Sequence, residues 1–211
     1  MMGKRHSLVE EMGRRRVSAI LRTNDTETAR QAMEAAVRGG FRMVEFTLTV
    51  PGVFELIREF SKREGLLVGA GTVLTPGEAE RAVSAGAGFL VSPVVDLRVL
   101  EAAAMLDVPS VPGTSTPTEM MTAHRAGADL LKIFPAPADV AAFVAQVRGP
   151  FPEWKLFPTA GVTPGNFRAV LGAGAFGVGF VASLFRPEEL AAGDMESVER
   201  RAAGIFQALQ A

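Results

Sequence analysis

Short apolar runs alternate with helical patterns from one end of this chain to the other. The runs at 17–21 (VSAIL), 42–47 (RMVEFT), 66–70 (LLVGA), 89–92 (FLVS), 109–112 (PSVP), 130–134 (LLKIF), 155–159 (KLFPT) and 176–180 (FGVGF) predict strands. Between them lie amphipathic stretches such as TETARQAMEAAVR and PTEMMTAHRA, apolar at helical spacing. Eight β-α alternations predict a parallel α/β sheet, and eight is the number that closes a (β/α)8 TIM barrel. A doubly wound open sheet typically uses fewer strands. The polar opening MMGKRHSLVEEMGRRR predicts an extra N-terminal helix ahead of the barrel, its Arg14-Arg15-Arg16 run complementing the helix carboxyl end.

The punctuation fits the same architecture. Glycines stand where helices should end before strands, at 38–41, 85–89, 126–130 and 172–176. Three strand exits predict helix starts: Thr75-Pro76-Gly77-Glu78, Thr116-Pro117-Thr118-Glu119 and Thr163-Pro164. Threonine caps, proline fits the first helical turn, and a glutamate three residues on closes a capping box. No linker or low-complexity tract interrupts the chain, so residues 1–211 are expected to form a single domain.

Composition narrows the chemistry. Hydrophobic residues at 48% and charged ones at 21% suit a globular protein with a sizeable core. The chain has no cysteine, and its two histidines, His6 and His124, cannot build the usual catalytic zinc cluster. We therefore expect no metal and no cofactor. A formal charge of −1 offers no field for nucleic acid or an anionic membrane. Apolar stretches break well short of the ~20 residues of a membrane span, and the start lacks a signal-type apolar region. A cytoplasmic location is the resulting expectation.

In a barrel of this kind the active site lies at the carboxyl ends of the strands. The polar residues expected there are Glu45, Thr72, Lys132 and Thr159. Lysine is scarce, four against eighteen arginines, and Lys132 alone lies inside an apolar segment, DLLKIFPA. A desolvated lysine loses its proton readily, and a neutral amine in a dry pocket is the nucleophile that forms a Schiff base with a ketone. The same position also suits a lysine that snorkels to the rim or pairs with a carboxylate. Glu45, in RMVEFTLTV, either shuttles protons with a raised pKa or serves as an ion-pair partner of Lys132 or an arginine. The two predicted strands stand on opposite sides of the ring, where both side chains can face one cavity. VGAGTV at 68–73 lacks the third glycine of the dinucleotide fingerprint, but its small residues let a ligand approach. PTAGVTPGN at 158–166 reads as an anion cradle or as a bare helix start. His124 reads as a surface residue of a helix.

Taken together, VEFTLT with Glu45, VGAGTVLTP with Thr72, GAGFLVSP with Ser92 and Pro93, VPGTSTPTE around Gly113, LLKIFPA with Lys132, and FPTAGV resemble the 2-keto-3-deoxy-6-phosphogluconate aldolase family, which includes 4-hydroxy-2-oxoglutarate aldolases. The likeness runs from about Val17 to Leu190. It implies a metal-free homotrimer of (β/α)8 barrels acting on a small keto acid. It also implies that Lys132 is the Schiff-base lysine and Glu45 the general acid/base. Thr72 then holds the pyruvate moiety, Phe134 walls the pocket, and Pro93, Thr159, Gly161 and Ser183 complete the substrate site.

Two departures stand out. Many members carry an arginine where this chain has Thr49, which leaves Arg22, in AILRT, as the replacement cation for the substrate carboxylate. The family's Pro-Thr-Gly-Gly becomes Pro158-Thr159-Ala160-Gly161, and its glycine-serine turn becomes GFVASLF, with Ser183 displaced by one and Phe180 and Val181 at places for small residues. A weakened preference for phosphorylated substrates follows. The implied reaction is class I aldol cleavage of a 2-keto-4-hydroxy acid to pyruvate and an aldehyde, with oxaloacetate decarboxylation as a side activity. Its rivals are a metal-free phosphosugar isomerase or epimerase using Glu45 alone, and a trimeric scaffold without turnover.

Overall fold

The computed structural model describes residues 3–210. Its strands are β1 (Val17–Leu21), β2 (Met43–Thr47), β3 (Leu67–Gly71), β4 (Phe89–Val91), β5 (Ser110–Val111), β6 (Gly113–Thr114), β7 (Leu131–Ile133), β8 (Leu156–Pro158) and β9 (Val178–Phe180). A first helix, α1 (Lys4–Arg15), precedes them. The helices between strands are α2 (Thr26–Arg38), α3 (Val53–Phe60), α4 (Pro76–Ser84), α5 (Leu97–Met105), α6 (Pro117–Arg125), α7 (Val140–Arg148) and α8 (Phe167–Gly172). After β9 come α9 (Pro187–Ala192) and α10 (Met195–Gln210).

All eight expected strands form, and every pairing is parallel. The hydrogen-bonded ladder is nonetheless not one continuous ring. A curled six-stranded sheet runs β5-β4-β3-β2-β1-β9, and a three-stranded sheet runs β6-β7-β8. Proline explains one seam. Pro112 has no N–H to offer and ends the fifth run after β5, which pairs with β4, while the next two residues form β6, which pairs with β7. Its carbonyl turns to the other sheet and accepts the Lys132 N–H at 3.0 Å. At the second seam the Phe176 N–H reaches the Leu156 carbonyl at 2.9 Å without extending into a ladder. The result is a TIM-like barrel rather than the strict eight-stranded ring expected.

Alternation along the strands sorts the side chains. On β2, Val44 and Phe46 face the helices and join the outer core. Met43 faces inward, where it joins Leu67, Phe89, Val91, Val111, Leu130 and Phe157 in a separate cluster. Val9 and Met12 of α1 complete that cluster, so the extra helix plugs the amino-terminal floor of the barrel. The first helix carries Arg14 and Arg15 in its last turn, as expected, and both pair with Glu11.

The capping signals hold at two of three sites. Thr75 with Glu78, and Thr116 with Glu119, form complete capping boxes. Thr163-Pro164 does not start a helix. Asn166 stands where the other two sites carry glutamate, and its side chain folds back to accept the Thr163 N–H at 2.8 Å and to donate to the Gly161 carbonyl at 2.8 Å. That turn delays α8 to Phe167. Gly40, Gly86, Gly127 and Gly174 all take positive φ just beyond helix ends, as the sequence predicts.

Candidate active site

Above the apolar floor, the inward positions of β2 become polar: Glu45 and then Thr47, both buried. Glu45 lies in register with Ile20 of β1 and Gly69 of β3. The carboxylate rests against bare backbone, because a Cβ at Gly71 would stand 2.0 Å from Glu45 Oε1. Across the barrel, Leu131 and Ile133 of β7 pack outward and turn Lys132 inward. The strand is held there by the Pro112 carbonyl and by Thr114 Oγ1, which donates to the Lys132 carbonyl at 2.8 Å.

Both side chains line one chamber of about 340 Å³. Glu45 is 2% and Lys132 9% exposed. Among the described residues, no ion pair joins them to each other or to an arginine. Burial pushes the Glu45 carboxyl up, against the pull of the Lys132 and Arg22 charges. Burial drives the Lys132 amine down; Glu45 opposes this and Arg22 adds to it. A carboxyl with a raised pKa and an amine with a lowered one therefore share a cavity with room between them for a small molecule. Among the described residues, no group of three or more His, Asp or Glu side chains is placed to hold a metal ion.

Most of the expected site residues converge here. Arg22, Thr72, Phe134, Thr159, Gly161 and Ser183 all line the chamber. Arg22 is exposed at its rim and makes no ion pair among the described residues. The Phe134 ring centroid lies 5.2 Å from Lys132 Nζ. Thr72 adopts φ 60°, a left-handed conformation uncommon for a β-branched residue. Ser183 directs its hydroxyl to the Val162 carbonyl at 2.7 Å and so ties the two neighbouring loops together. Pro93 lies outside the lining; its carbonyl sits where a Cβ of Gly113 would be, at 2.2 Å. Phe180 also differs from expectation. It is fully buried and packs edge-on against Phe41 and Phe167, while Val181 and Ala182 face the cavity. His124 is exposed on α6, as read from the sequence.

Thr47 and Ile20 are among the lining residues that the sequence reading did not single out. Thr47 is inward because it stands two positions beyond Glu45, and its hydroxyl meets that of Thr49 at 2.8 Å. Ile20 enters as the register partner of Glu45. Strand alternation was the signal for Thr47. The same alternation along β1, with Val17, Ala19 and Leu21 outward, turns Ile20 inward.

Known proteins resemble this chain in sequence and fold. A probable 2-dehydro-3-deoxy-6-phosphogalactonate aldolase of Rhizobium meliloti (strain 1021) is 36% identical over 198 residues, covering 92% of this chain and 91% of its own. A structure described as native KDPGal superimposes with TM-score 0.83 and 30% identity, covering 92% of this chain and 94% of the other. The KDPG aldolase of Legionella pneumophila, with pyruvate captured at low pH as a covalent carbinolamine intermediate, gives TM-score 0.81 and 25% identity over 94% of this chain and 97% of its own. The family model described as KDPG and KHG aldolase matches residues 8–201, a span that holds every strand and the whole lysine-glutamate chamber. The chain belongs to the KDPG and KHG aldolase family.

Proposed function

We propose that the protein is a class I aldolase in which Lys132 forms a Schiff base with a 2-keto-4-hydroxy acid and Glu45 moves the protons. The observation that carries this reading is a buried lysine and a buried glutamate facing one chamber without pairing. The neutral Lys132 amine attacks the C2 carbonyl, whose oxygen takes a proton to give a carbinolamine. Loss of water leaves an iminium. Glu45, directly or through water, removes the C4 hydroxyl proton; the C3–C4 bond breaks and its electron pair moves into the iminium, giving the aldehyde and an enamine. Protonation at C3 and hydrolysis release pyruvate and restore the amine. Arg22 receives the C1 carboxylate, Thr72 and Thr159 orient the pyruvate portion, and Phe134 shields the amine from water. Gly161 and Ser183 shape the far wall, and Pro93 contributes by backing Gly113.

The described residues work as one domain in this reading, and the protein acts in the cytoplasm as a homotrimer. No helix among them is long and apolar enough to cross a membrane. Leu74, Val94 and Leu97 leave apolar surface exposed at the exits of neighbouring strands β3 and β4, which a second copy could cover. Sedimentation equilibrium should give roughly three times the 22.3 kDa chain mass; a monomer at micromolar concentration would remove the trimer.

The experiment for the chemistry is reductive trapping. Pyruvate with sodium borohydride should inactivate the protein and leave one pyruvyl-derived group on Lys132. An adduct on Lys155 or Lys62, or none, overturns the covalent mechanism and favours the isomerase or scaffold alternatives.

A further inference from the structure

Thr72 holds a backbone conformation that its own side chain opposes. Among the described residues, those other than glycine with positive φ are Arg16, Thr72 and Asp107. Of these, Thr72 alone is β-branched, and it alone lines the lysine-glutamate chamber. A branched Cβ crowds the backbone in the left-handed region, so φ 60° persists only where the flanking chain enforces it.

Both flanks are pinned. Before Thr72, the Gly71 carbonyl accepts the Leu48 N–H at 2.8 Å, and the Glu45 carboxylate fills the space where a Gly71 side chain would stand. After it, Val73 is held by both of its backbone polar groups. Its N–H donates to the Val91 carbonyl at 3.1 Å, and its carbonyl accepts the Ser92 hydroxyl at 2.5 Å in the buried interior. Thr72 is thus the joint between two fixed residues. Of the hydrogen bonds that fix them, the one from Ser92 comes from a side chain and can be deleted by substitution. Ser92 is 5% exposed and lines neither the chamber nor the larger cavity that shares Thr72 with it. Its hydroxyl is therefore spent on the loop and not on a bound molecule. With the Val73 carbonyl released, Thr72 is free to relax toward the extended region, and its side chain swings away from the chamber.

We infer that Ser92 is a positioning residue for the aldol reaction: by holding the Val73 carbonyl it keeps Thr72 left-handed, with its side chain set against the pyruvate portion of the substrate. This rests on the Schiff-base reading of Lys132 and on the role proposed for Thr72.

The test titrates pyruvate into borohydride inactivation, which yields a half-saturating pyruvate concentration and a limiting rate for each variant. Ser92→Ala is expected to raise the half-saturating concentration at least about fivefold, the weight of one lost orienting hydrogen bond. The limiting rate should stay within about threefold, because the amine of Lys132 is untouched. Thr72→Ala should give a similar rise, and adding Ser92→Ala to it should change the value by less than about twofold, since the two residues act as one unit. Ser92→Cys, of nearly the same size but a weaker donor, stands in if Ser92→Ala does not fold; its rise should be at least about twofold and should likewise disappear in the Thr72→Ala background. An unchanged half-saturating concentration in the folded variant, or a rise that persists in full beside Thr72→Ala, overturns the inference and leaves Ser92 a packing residue. The wild-type protein separates the two levels of failure. An adduct on Lys132 with independent effects of Ser92 and Thr72 sinks only the positioning role, whereas the absence of any adduct sinks the covalent reading and the inference with it.

Discussion

Lys132 and Glu45 each sit where their charged forms are disfavoured, and that burial has a measurable cost in stability. For the lysine, the folded pKa lies below the unfolded value of roughly 10.4, so the unfolded chain binds more protons between the two. Wild-type stability therefore rises with pH across that interval and is lost as pH falls through the folded pKa. Lys132→Met should stabilise the fold at neutral pH by on the order of 1–3 kcal/mol, the cost of burying an unsatisfied polar group. The gain should shrink above about pH 10.4, where only the cost of burying the neutral amine is left. Glu45, further raised once the lysine charge is gone, can meet the change by taking a proton. Urea titrations at pH 7 and pH 10.5 check this; a variant less stable than wild type at pH 7 would mean that Lys132 is held by structural interactions. Glu45→Gln separates chemistry from structure at the other end of the pair. It should fold, still trap pyruvate slowly, and lose turnover by roughly 10²- to 10⁴-fold, the usual weight of general acid/base catalysis. Near wild-type turnover in the folded variant would leave Glu45 without a catalytic role.

Strands translate sequence into site through a period of two, and this is why so much of the site was legible. Once 42–47 is read as a strand with Val44 and Phe46 outward, Glu45 must face in; LLKIF places Lys132 by the same rule. The helix starts at Thr75 and Thr116 were equally readable, since each carries its full box within four residues. Thr163 misled because only the proline matched, and the side chain three residues on was an asparagine that could bond backwards. Phe180 misled because a strand-end residue was assigned to the wrong face; outward, it meets Phe41 and Phe167. The pairing of β2 with β3 adds a requirement invisible in either strand alone. Gly71 must lack a side chain because Glu45 occupies that space. Gly71→Ala is expected to fold, displace the carboxylate and lower kcat at least tenfold, with the loss diminished in a Glu45→Gln background. A full and undiminished loss in the double variant would assign the glycine to strand packing.

At the scale of the whole molecule, the barrel separates the work of folding from the work of catalysis along its axis. The floor is apolar and closed by α1, whereas the polar layer begins at Glu45, two residues or about 6–7 Å further along β2. Length and alternation announced the barrel, but not where its ladder would break, since the partner switch at Pro112 depends on which strand lies opposite each half. Nor did the opening helix reveal its task. Its polar residues announced a helix with a basic carboxyl end, yet Met12 is 1% exposed and packs with Met43, Leu67, Phe89 and Phe157. Removing that side chain tests the separation. Met12→Ala should cost roughly 2–5 kcal/mol, from lost transfer energy and a cavity that the rigid floor cannot close. For a chain of this length, each kcal/mol lowers Tm by about 2–4 °C. Because the chemistry lies one layer higher, kcat/KM measured well below the new Tm should stay within about twofold of wild type. A large fall in kcat/KM without a fall in Tm would show that the floor and the lysine-glutamate chamber are coupled, and that α1 belongs to the active site rather than to its foundation.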